Sequence, residues 1–119
     1  MFGNKRPDRP FSPSIRVGDT LYLAGMVGRG PSGFAPGDVE EQARQTLRNL
    51  GATLEAAGLG FEDVVDATVF VTDVRFYQTM NKVYSEVMPT PPPARATVAS
   101  GLMSPDALIE IMMTARTRD

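Results

Sequence analysis

Two charged residues near the end of the chain stand inside otherwise apolar segments. Arg95 lies in ARATV and Glu110 in LIEIMMTA, and the alternation of side chains in both segments predicts short β-strands. A guanidinium or a carboxylate in such a strand is costly unless it meets a partner or a ligand. The pair is therefore a candidate site, although the local pattern by itself favours a purely structural ion pair.

The residue types available elsewhere limit what such a site could do. The chain has 119 residues and contains no histidine and no cysteine. This composition removes the commonest general base, the commonest metal ligands and any thiolate nucleophile. We therefore expect chemistry without a metal or a cofactor, carried by carboxylates, arginine, hydroxyl groups, backbone groups and water.

Length, charge and hydropathy narrow the class of protein further. The length fits a single domain over residues 1–119, with a loose N-terminal arm at residues 1–10, where proline, glycine and charge are mixed. A net charge of -2 argues against a nucleic-acid partner, which calls for a basic surface. No apolar run approaches the roughly 18 residues of a membrane span and no signal-peptide core is present, so we expect a cytoplasmic protein without membrane contact.

The elements that must position the two charged residues follow from the periodicity of the rest of the chain. Strands are predicted over residues 11–17, 20–27, 64–72, 94–98 and 108–115, and helices over residues 38–57 and 74–88. The order ββαβαββ predicts an α/β (α+β) fold, in which two helices cover one face of a mixed sheet. Gly51 in the first helix has no local explanation, since glycine costs about 1 kcal/mol there relative to alanine.

The two faces of this sheet differ in what the chain can cover. Two helices cover one face, whereas Phe70, Leu108 and Met112 remain on the other. An exposed apolar patch of that kind usually marks an interface. We therefore predict a homo-oligomer that buries the face away from the helices, and we place both Arg95 and Glu110 on that face.

A glycine-rich segment offers a competing site. Residues 28–33, GRGPSG, match the G-x-G-x-x-G pattern of dinucleotide-binding loops, which requires a helix to open within the motif. Here the helix is predicted to begin only at Asp38, and the chain is too short for repeated βαβ units. A flexible loop is the favoured interpretation.

Several segments stand in a specific order and spacing along nearly the whole chain: VGDTLYLAG, DVEEQARQTLRNLGATLEAAGLGFEDVV, TVFVTDVRFYQTMNKVYSEVM, PARATVA and ALIEI. Each segment alone is a modest signal, whereas their combination is specific. On these segments the chain resembles the Rid family, the YjgF-type reactive intermediate deaminases. The resemblance implies a chorismate-mutase-like domain assembled as a homotrimer, with sites in the clefts between subunits.

The resemblance also implies roles for individual residues. In the deaminating members an arginine of the PAR motif, here Arg95, binds the substrate carboxylate, and a glutamate of the last strand, here Glu110, places the attacking water. The positions of Gly25, Asn81 and the backbone of Thr97 line the cleft as well. The implied reaction is hydrolysis of a 2-imino acid to a 2-keto acid and ammonia, without a cofactor.

The sequence departs from the family pattern at positions around that cleft. Phe11, which belongs to the substrate site by the same resemblance, stands where many members carry tyrosine, and Ala24 stands where many carry serine. Thr97 replaces a frequent cysteine, and Met112 replaces a second glutamate. The lost hydroxyl groups keep an alternative open: a module that senses a small carboxylate in the same cleft without turning it over.

Overall fold

The computed structural model describes residues 2–3 and 9–117. The strands are β1 (Phe2–Gly3), β2 (Ser14–Val17), β3 (Thr20–Leu23), β4 (Met26–Val27), β5 (Val64–Val71), β6 (Ala94–Ala99) and β7 (Ile109–Arg116), and the helices are α1 (Val39–Ala56) and α2 (Tyr77–Val87). Two short 3₁₀ helices, Phe61–Asp63 and Val74–Phe76, precede β5 and α2. Most of the predicted arm at residues 1–10 falls outside the described residues, and β1 is a strand that the sequence did not predict.

The strands form one mixed sheet in the order β1-β2-β3-β7-β5-β6, and β4 continues β3 alongside β7. Within the described residues β5 and β6 run parallel, and the other strand pairs are antiparallel. The α+β fold with two helices against one face is therefore as predicted. Neither helix in this part of the chain combines the length and the apolar character needed to cross a bilayer.

The ends of α1 are set by the residues that the sequence suggested. The Asp38 carboxylate accepts a hydrogen bond from Glu41 N at 3.0 Å, which satisfies one of the free N–H groups of the first turn. At the other end Gly58 has a φ of +78°, and Leu59 N donates to Leu54 O at 2.9 Å, as in a Schellman motif. The buried side of the helix carries Gln42, Ala43, Thr46, Leu47, Leu50 and Leu54.

A close contact explains the glycine inside α1. A Cβ atom at Gly51 would lie 3.3 Å from the ring of Phe61, which packs against the core from the 3₁₀ helix before β5. Such a distance is tighter than ordinary van der Waals contact, so the absence of a side chain lets the ring approach the helix. The contact joins residues from two elements, and local sequence gave no sign of it.

One buried amide ties two loops to α1. Gln42 is fully buried, and its Nε2 donates to Ala35 O at 2.9 Å and to Asp106 O at 3.0 Å, while its Oε1 accepts from Leu108 N at 2.8 Å. A Cβ atom at Gly28 would collide with the backbone of Gln42, so this glycine permits the loop to lie against the helix. The loop of residues 28–37 is thus anchored to the helix, and α1 begins after it, as predicted.

A β-bulge separates β3 from β4. The chain advances four residues from Tyr22 to Met26, while the partner strand β7 advances three, from Thr114 to Ile111. Residues 24–25 therefore oppose a single position on β7, which breaks the predicted strand over residues 20–27 into two. Bulges of this kind bend a strand and change the direction of its side chains.

The bulge changes which side chains face the helices. Leu21 and Leu23 are buried in the core as predicted, and Met26, which pairs with buried Ile111, packs on the same core. Val27 pairs with Glu110 on the opposite face. Strict alternation over the predicted strand of residues 20–27 would place Val27 on the face of Leu21 and Leu23, and this is wrong because of the extra residue.

A second irregularity at the start of β5 has the same effect. The register with β7 shifts between Val64, which pairs with Ala115, and Asp66, which pairs with Thr114. Val64 is 7% exposed and belongs to the core, whereas Val65 is 49% exposed. Strict alternation over residues 64–72 would group Val65 with Ala67, Val69 and Val71, which is correct from residue 67 onward and wrong for Val65.

Candidate functional site

Arg95 lies on the face of the sheet that the helices cover. In the parallel pair of β5 and β6 it stands beside Ala67, and Thr97 stands beside Val69. Because neighbouring residues in register point to the same face, and Ala67 and Val69 are buried in the core, Arg95 points toward the helices. The prediction that Arg95 lies on the helix-free face with Glu110 is wrong. Alternation within β6 gave the grouping of Arg95 with Thr97 and could not say which face they share.

Two tyrosines of α2, Tyr77 and Tyr84, lie against the Arg95 side chain, and Asn81 lines a groove with Arg95. We call these three residues the α2 stripe. Their spacing of four and three residues places them on one side of the helix. The Arg95 Cζ lies 4.8 Å from the centre of the Tyr84 ring and 5.7 Å from that of Tyr77, and Nη2 donates to Tyr77 Oη at 3.3 Å. Arg95 is thus held by aromatic faces and a phenol.

A groove opens beside Arg95, with a volume of about 340 Å³. Its lining consists of Arg95, the α2 residues Asn81, Tyr84 and Ser85, and the segment that follows the helix, with Met88, Pro89, Thr90, Pro92 and Pro93. Among the described residues no carboxylate lines this groove or forms an ion pair with Arg95. The guanidinium therefore keeps its capacity to pair with a carboxylate from outside the chain.

The two tyrosines of the α2 stripe differ in their hydroxyl groups. Tyr84 is 5% exposed, and its Oη has no hydrogen-bond partner among the described residues. Burial raises the pKa of Tyr84, an effect that the nearby Arg95 charge opposes. Tyr84 therefore remains a neutral phenol at physiological pH, and it touches Arg95 through its ring.

Glu110 lies on the opposite, helix-free face. On that face it stands between Phe70 of β5 and Val27 of β4, as predicted for this residue. A Cβ atom at Gly25 would collide with the Glu110 carboxylate, so the glycine of the bulge gives the carboxylate its space. None of the hydrogen bonds and ion pairs between described residues involves this carboxylate, and it too is left for a ligand or a water.

A second cavity, of about 370 Å³, borders the bulge near Glu110. It is lined on the sheet side by Phe11, Pro13, Ala24, Gly25, Met26 and Val27, on α1 by Asn49, Ala52 and Thr53, and at its rim by Arg9 and Arg29. The ring of Phe11 is half exposed, and no hydroxyl group replaces the one that tyrosine would carry at this position. Phe11 and Gly25 thus line one cavity, and Gly25 also borders the Glu110 carboxylate, which does not itself line this cavity.

The sequence-predicted site residues therefore form two groups. Arg95, Asn81 and Thr97 belong to the helix-covered side, whereas Gly25 borders Glu110 and shares a cavity with Phe11. Arg95 and Glu110 are two strands apart and three residues out of line, so their Cα atoms are about 14 Å apart, with side chains on opposite faces. A single chain does not bring the two groups together, and the alternative of an ion pair within the chain is wrong.

Sequence reasoning missed the tyrosines as part of the site. The apolar spacing of α2 accounts for the burial of Tyr84 but does not by itself indicate its contact with Arg95. Tyr77, the first residue of α2, was not assigned a role. The signal that could have found them is their spacing from Asn81, since the three residues recur at one side of the helix.

Known proteins resemble this chain over most of its length. The family model described as Endoribonuclease L-PSP matches residues 3–117. A RutC family protein of Sulfurisphaera tokodaii is 40% identical over 108 residues, which cover 89% of this chain and 86% of that protein. The mouse protein named 2-iminobutanoate/2-iminopropanoate deaminase is 38% identical over 104 residues, covering 86% of this chain and 77% of the mouse protein. The crystal structure of the YjgF gene product of E. coli matches with a TM-score of 0.81 and 36% identity, over 92% of this chain and 89% of the other.

Proposed function

We propose that this chain, which belongs to the Rid family of reactive intermediate deaminases, hydrolyses 2-imino acids to 2-keto acids and ammonia. The observation that carries the proposal is the state of Arg95. Its guanidinium lies on the tyrosine rings of the α2 stripe, lines an open groove and has no carboxylate partner among the described residues. The name of the mouse relative supports the same reaction class.

Arg95 is the residue that binds the substrate carboxylate in this proposal. The planar guanidinium can donate two parallel N–H groups to the two oxygens of a carboxylate, which a lysine cannot reproduce. Asn81 lines the same groove and offers a further donor. Binding at the carboxylate fixes the adjacent imine carbon, so the attack of water becomes an oriented event.

Glu110 is the proposed general base. Water adds its oxygen to the carbon of the protonated imine while the Glu110 carboxylate takes the proton, and a carbinolamine forms. Glu110 then returns the proton to the nitrogen. The C–N bond breaks as the hydroxyl group loses its proton to the same carboxylate, which leaves the 2-keto acid. Glu110 then passes that proton to the departing ammonia, which leaves as ammonium, and the carboxylate is regenerated. A protonated imine is already electrophilic, so these steps require no metal or cofactor.

The division of Arg95 and Glu110 between two faces supports a site built from two chains. We propose that Arg95 of one subunit meets Glu110 of the next in a homotrimer. Two different surface patches that meet head to tail suit a closed ring. The helix-free face offers apolar area for such an assembly, since Tyr22, Val98 and Met112 are 52%, 42% and 43% exposed there.

The function is tested by generating 2-imino acids in situ with an amino-acid oxidase and following 2-keto acid release. We expect the wild-type chain to accelerate release beyond the uncatalysed rate. If no imino acid is turned over faster than in buffer, the enzyme proposal fails.

The two-chain site has its own test with the inactive variants Arg95→Ala and Glu110→Gln. Each variant alone should be inactive, but unfolding and reassembling them together should create sites with both wild-type residues. A random mixture of equal amounts should recover about a quarter of the wild-type activity. If both residues of a site came from one chain, mixing would restore no activity, and assembly of mixed trimers would be checked by mass spectrometry.

One observation favours a second candidate function. Phe11 and Ala24 line the cavity beside Gly25 and carry no hydroxyl groups. This cavity therefore has fewer hydrogen-bond donors to hold a substrate or a water. This arrangement favours a module that binds a small carboxylate without turning it over. Saturable binding of pyruvate without ammonia release from any imino acid would decide for this function.

A further inference from the structure

We infer that Tyr77 is a positioning residue for Arg95, whose hydroxyl group fixes the orientation of the guanidinium toward the substrate carboxylate. The inference rests on the proposed function of the same site. It deepens that function by assigning a residue that makes no contact with the reacting atoms. The argument compares the two tyrosines of the α2 stripe.

The Tyr84 ring fixes the plane of the guanidinium and little else. Arg95 Cζ lies 4.8 Å from the centre of this ring, at the distance of a cation–π contact. A guanidinium stacked on a ring can still turn within its own plane, because the ring face offers no directional acceptor. The ring alone therefore does not decide which N–H groups point into the groove.

The Tyr77 hydroxyl supplies the missing direction. Arg95 Nη2 donates to Tyr77 Oη at 3.3 Å, and the Tyr77 ring centre lies 5.7 Å from Cζ. This bond occupies one of the five N–H donors of the guanidinium and restrains rotation in the plane. The remaining donors include the pair that a carboxylate needs for two parallel bonds, and Tyr77 leaves that pair free.

The two hydroxyl groups provide a matched pair of variants. Tyr77→Phe keeps the ring and removes the bond to Arg95. Tyr84→Phe also keeps its ring and removes a hydroxyl group that has no partner among the described residues. The same chemical change is thus made at two positions on one side of α2. Only the change at Tyr77 removes a hydrogen bond to Arg95.

The expected result is a change in KM rather than in kcat. Tyr77→Phe should raise KM for 2-imino acids about three- to tenfold, because the partly exposed bond orients a group that binds the ground state and the transition state alike. The kcat value should stay within about twofold of wild type. Tyr84→Phe should change KM less than Tyr77→Phe does, because it leaves the bond between Tyr77 and Arg95 in place, and Gln78→Leu, on the exposed side of α2, should leave both constants unchanged. A merely structural effect of losing a tyrosine would lower stability without this split.

Pyruvate gives a readout that needs no catalysis, since it carries the carboxylate and lacks the imine. Its Kd, measured by NMR titration, should rise by the same factor in Tyr77→Phe, rise less in Tyr84→Phe, stay constant in Gln78→Leu and exceed the measurable range in Arg95→Ala. An active wild type with equal KM and Kd in Tyr77→Phe overturns the inference and leaves the proposed function standing. Equal losses in the two phenylalanine variants also overturn it.

The pyruvate measurement distinguishes a failure of the Tyr77 inference from a failure of the proposed deaminase function. If the wild type accelerates no imino acid but Tyr77→Phe still weakens pyruvate binding selectively, the deaminase function is wrong and the role of Tyr77 is supported. A wild type that neither turns over imino acids nor binds pyruvate overturns both.

Discussion

The two faces of the sheet differ in how they are covered. On the face toward the helices, Val69 and Ile111 are fully buried beneath α1 and α2. On the helix-free face, Val98 and Met112 occupy equally regular strand positions and remain exposed. The helices of the same chain cover one face, which we call the completed face. The other, the open face, presents apolar side chains that only a further surface can cover.

The candidate site crosses this division. Arg95 belongs to the completed face, at the open edge formed by β6, where the α2 stripe holds it. Glu110 belongs to the open face, where its carboxylate has room because Gly25 has no side chain. The difference teaches that folding and assembly should be separable. Substitutions of buried residues on the completed face should change stability, substitutions on the open face should change assembly, and the site should need Arg95 from one face and Glu110 from the other.

The largest effect is expected from removal of the guanidinium. Arg95→Ala should reduce acceleration of imino-acid hydrolysis by at least about a thousandfold, since carboxylate binding and orientation are lost together. The oligomer should remain intact in size-exclusion chromatography. Arg116→Ala is the control, because Arg116 is exposed and pairs with Asp19 away from the groove. An Arg95→Ala oligomer with normal activity would show that the carboxylate binds elsewhere.

A charge on the helix-free face should separate the subunits. Val98→Asp places a carboxylate in an exposed apolar row beside Phe70, and an unpaired charge at the centre of an interface costs several kcal/mol. We expect a folded monomer by light scattering and circular dichroism, with almost no deaminase activity although Arg95 and Glu110 are both present. Val74→Asp, at a 71% exposed position outside the sheet, should stay assembled. An active monomeric Val98→Asp would contradict the two-chain site.

The completed face should respond in stability instead. Gln42→Leu removes the amide that bonds Ala35, Asp106 and Leu108, and the freed backbone groups lose their partners. We expect a loss of about 2–4 kcal/mol in the free energy of unfolding, measured by urea denaturation at fixed protein concentration. Gln78→Leu, on the exposed side of α2, is the control. A change below about 1 kcal/mol would mean that water replaces the amide.

The smallest effect concerns the space around Glu110. A methyl group at Gly25 meets only the end of the Glu110 side chain, which can move aside, so Gly25→Ala should fold normally. We expect kcat to fall about ten- to a hundredfold, because the base leaves its position by about 1 Å. Gly101→Ala has open space around its Cβ and should be fully active. Normal turnover by Gly25→Ala would argue against Glu110 as the base.

Local sequence predicts those parts of the molecule whose cause is local. Asp38 and Gly58 mark the ends of α1 because capping involves residues within one turn. The alternation in β7 separates its buried residues from the Glu110 side because that strand is regular. The same chemistry identified Arg95 and Glu110 as residues in need of a partner or a ligand.

Relations between elements were the part that the sequence could not supply. The sheet face on which the Arg95 side chain lies depends on its register with Ala67 in a parallel pair. Alternation within β6 does not determine that register. The buried Gln42 and the Gly51–Phe61 contact likewise depend on elements that meet only in the folded chain. Predictions from strict alternation fail at the two bulges, because each bulge adds a residue to one strand only.

The bulge at residues 24–25 has a consequence for how the chain tolerates changes in its length. Loss of one of these residues would turn the irregular pair into a regular one and leave Leu23 and Met26 facing the core. Val27 would likewise stay beside Glu110. Relatives that shorten this segment by one residue would thus retain the scaffold while altering the space around the carboxylate. Segment length here offers evolution and protein engineering a way to vary the site that spares the fold.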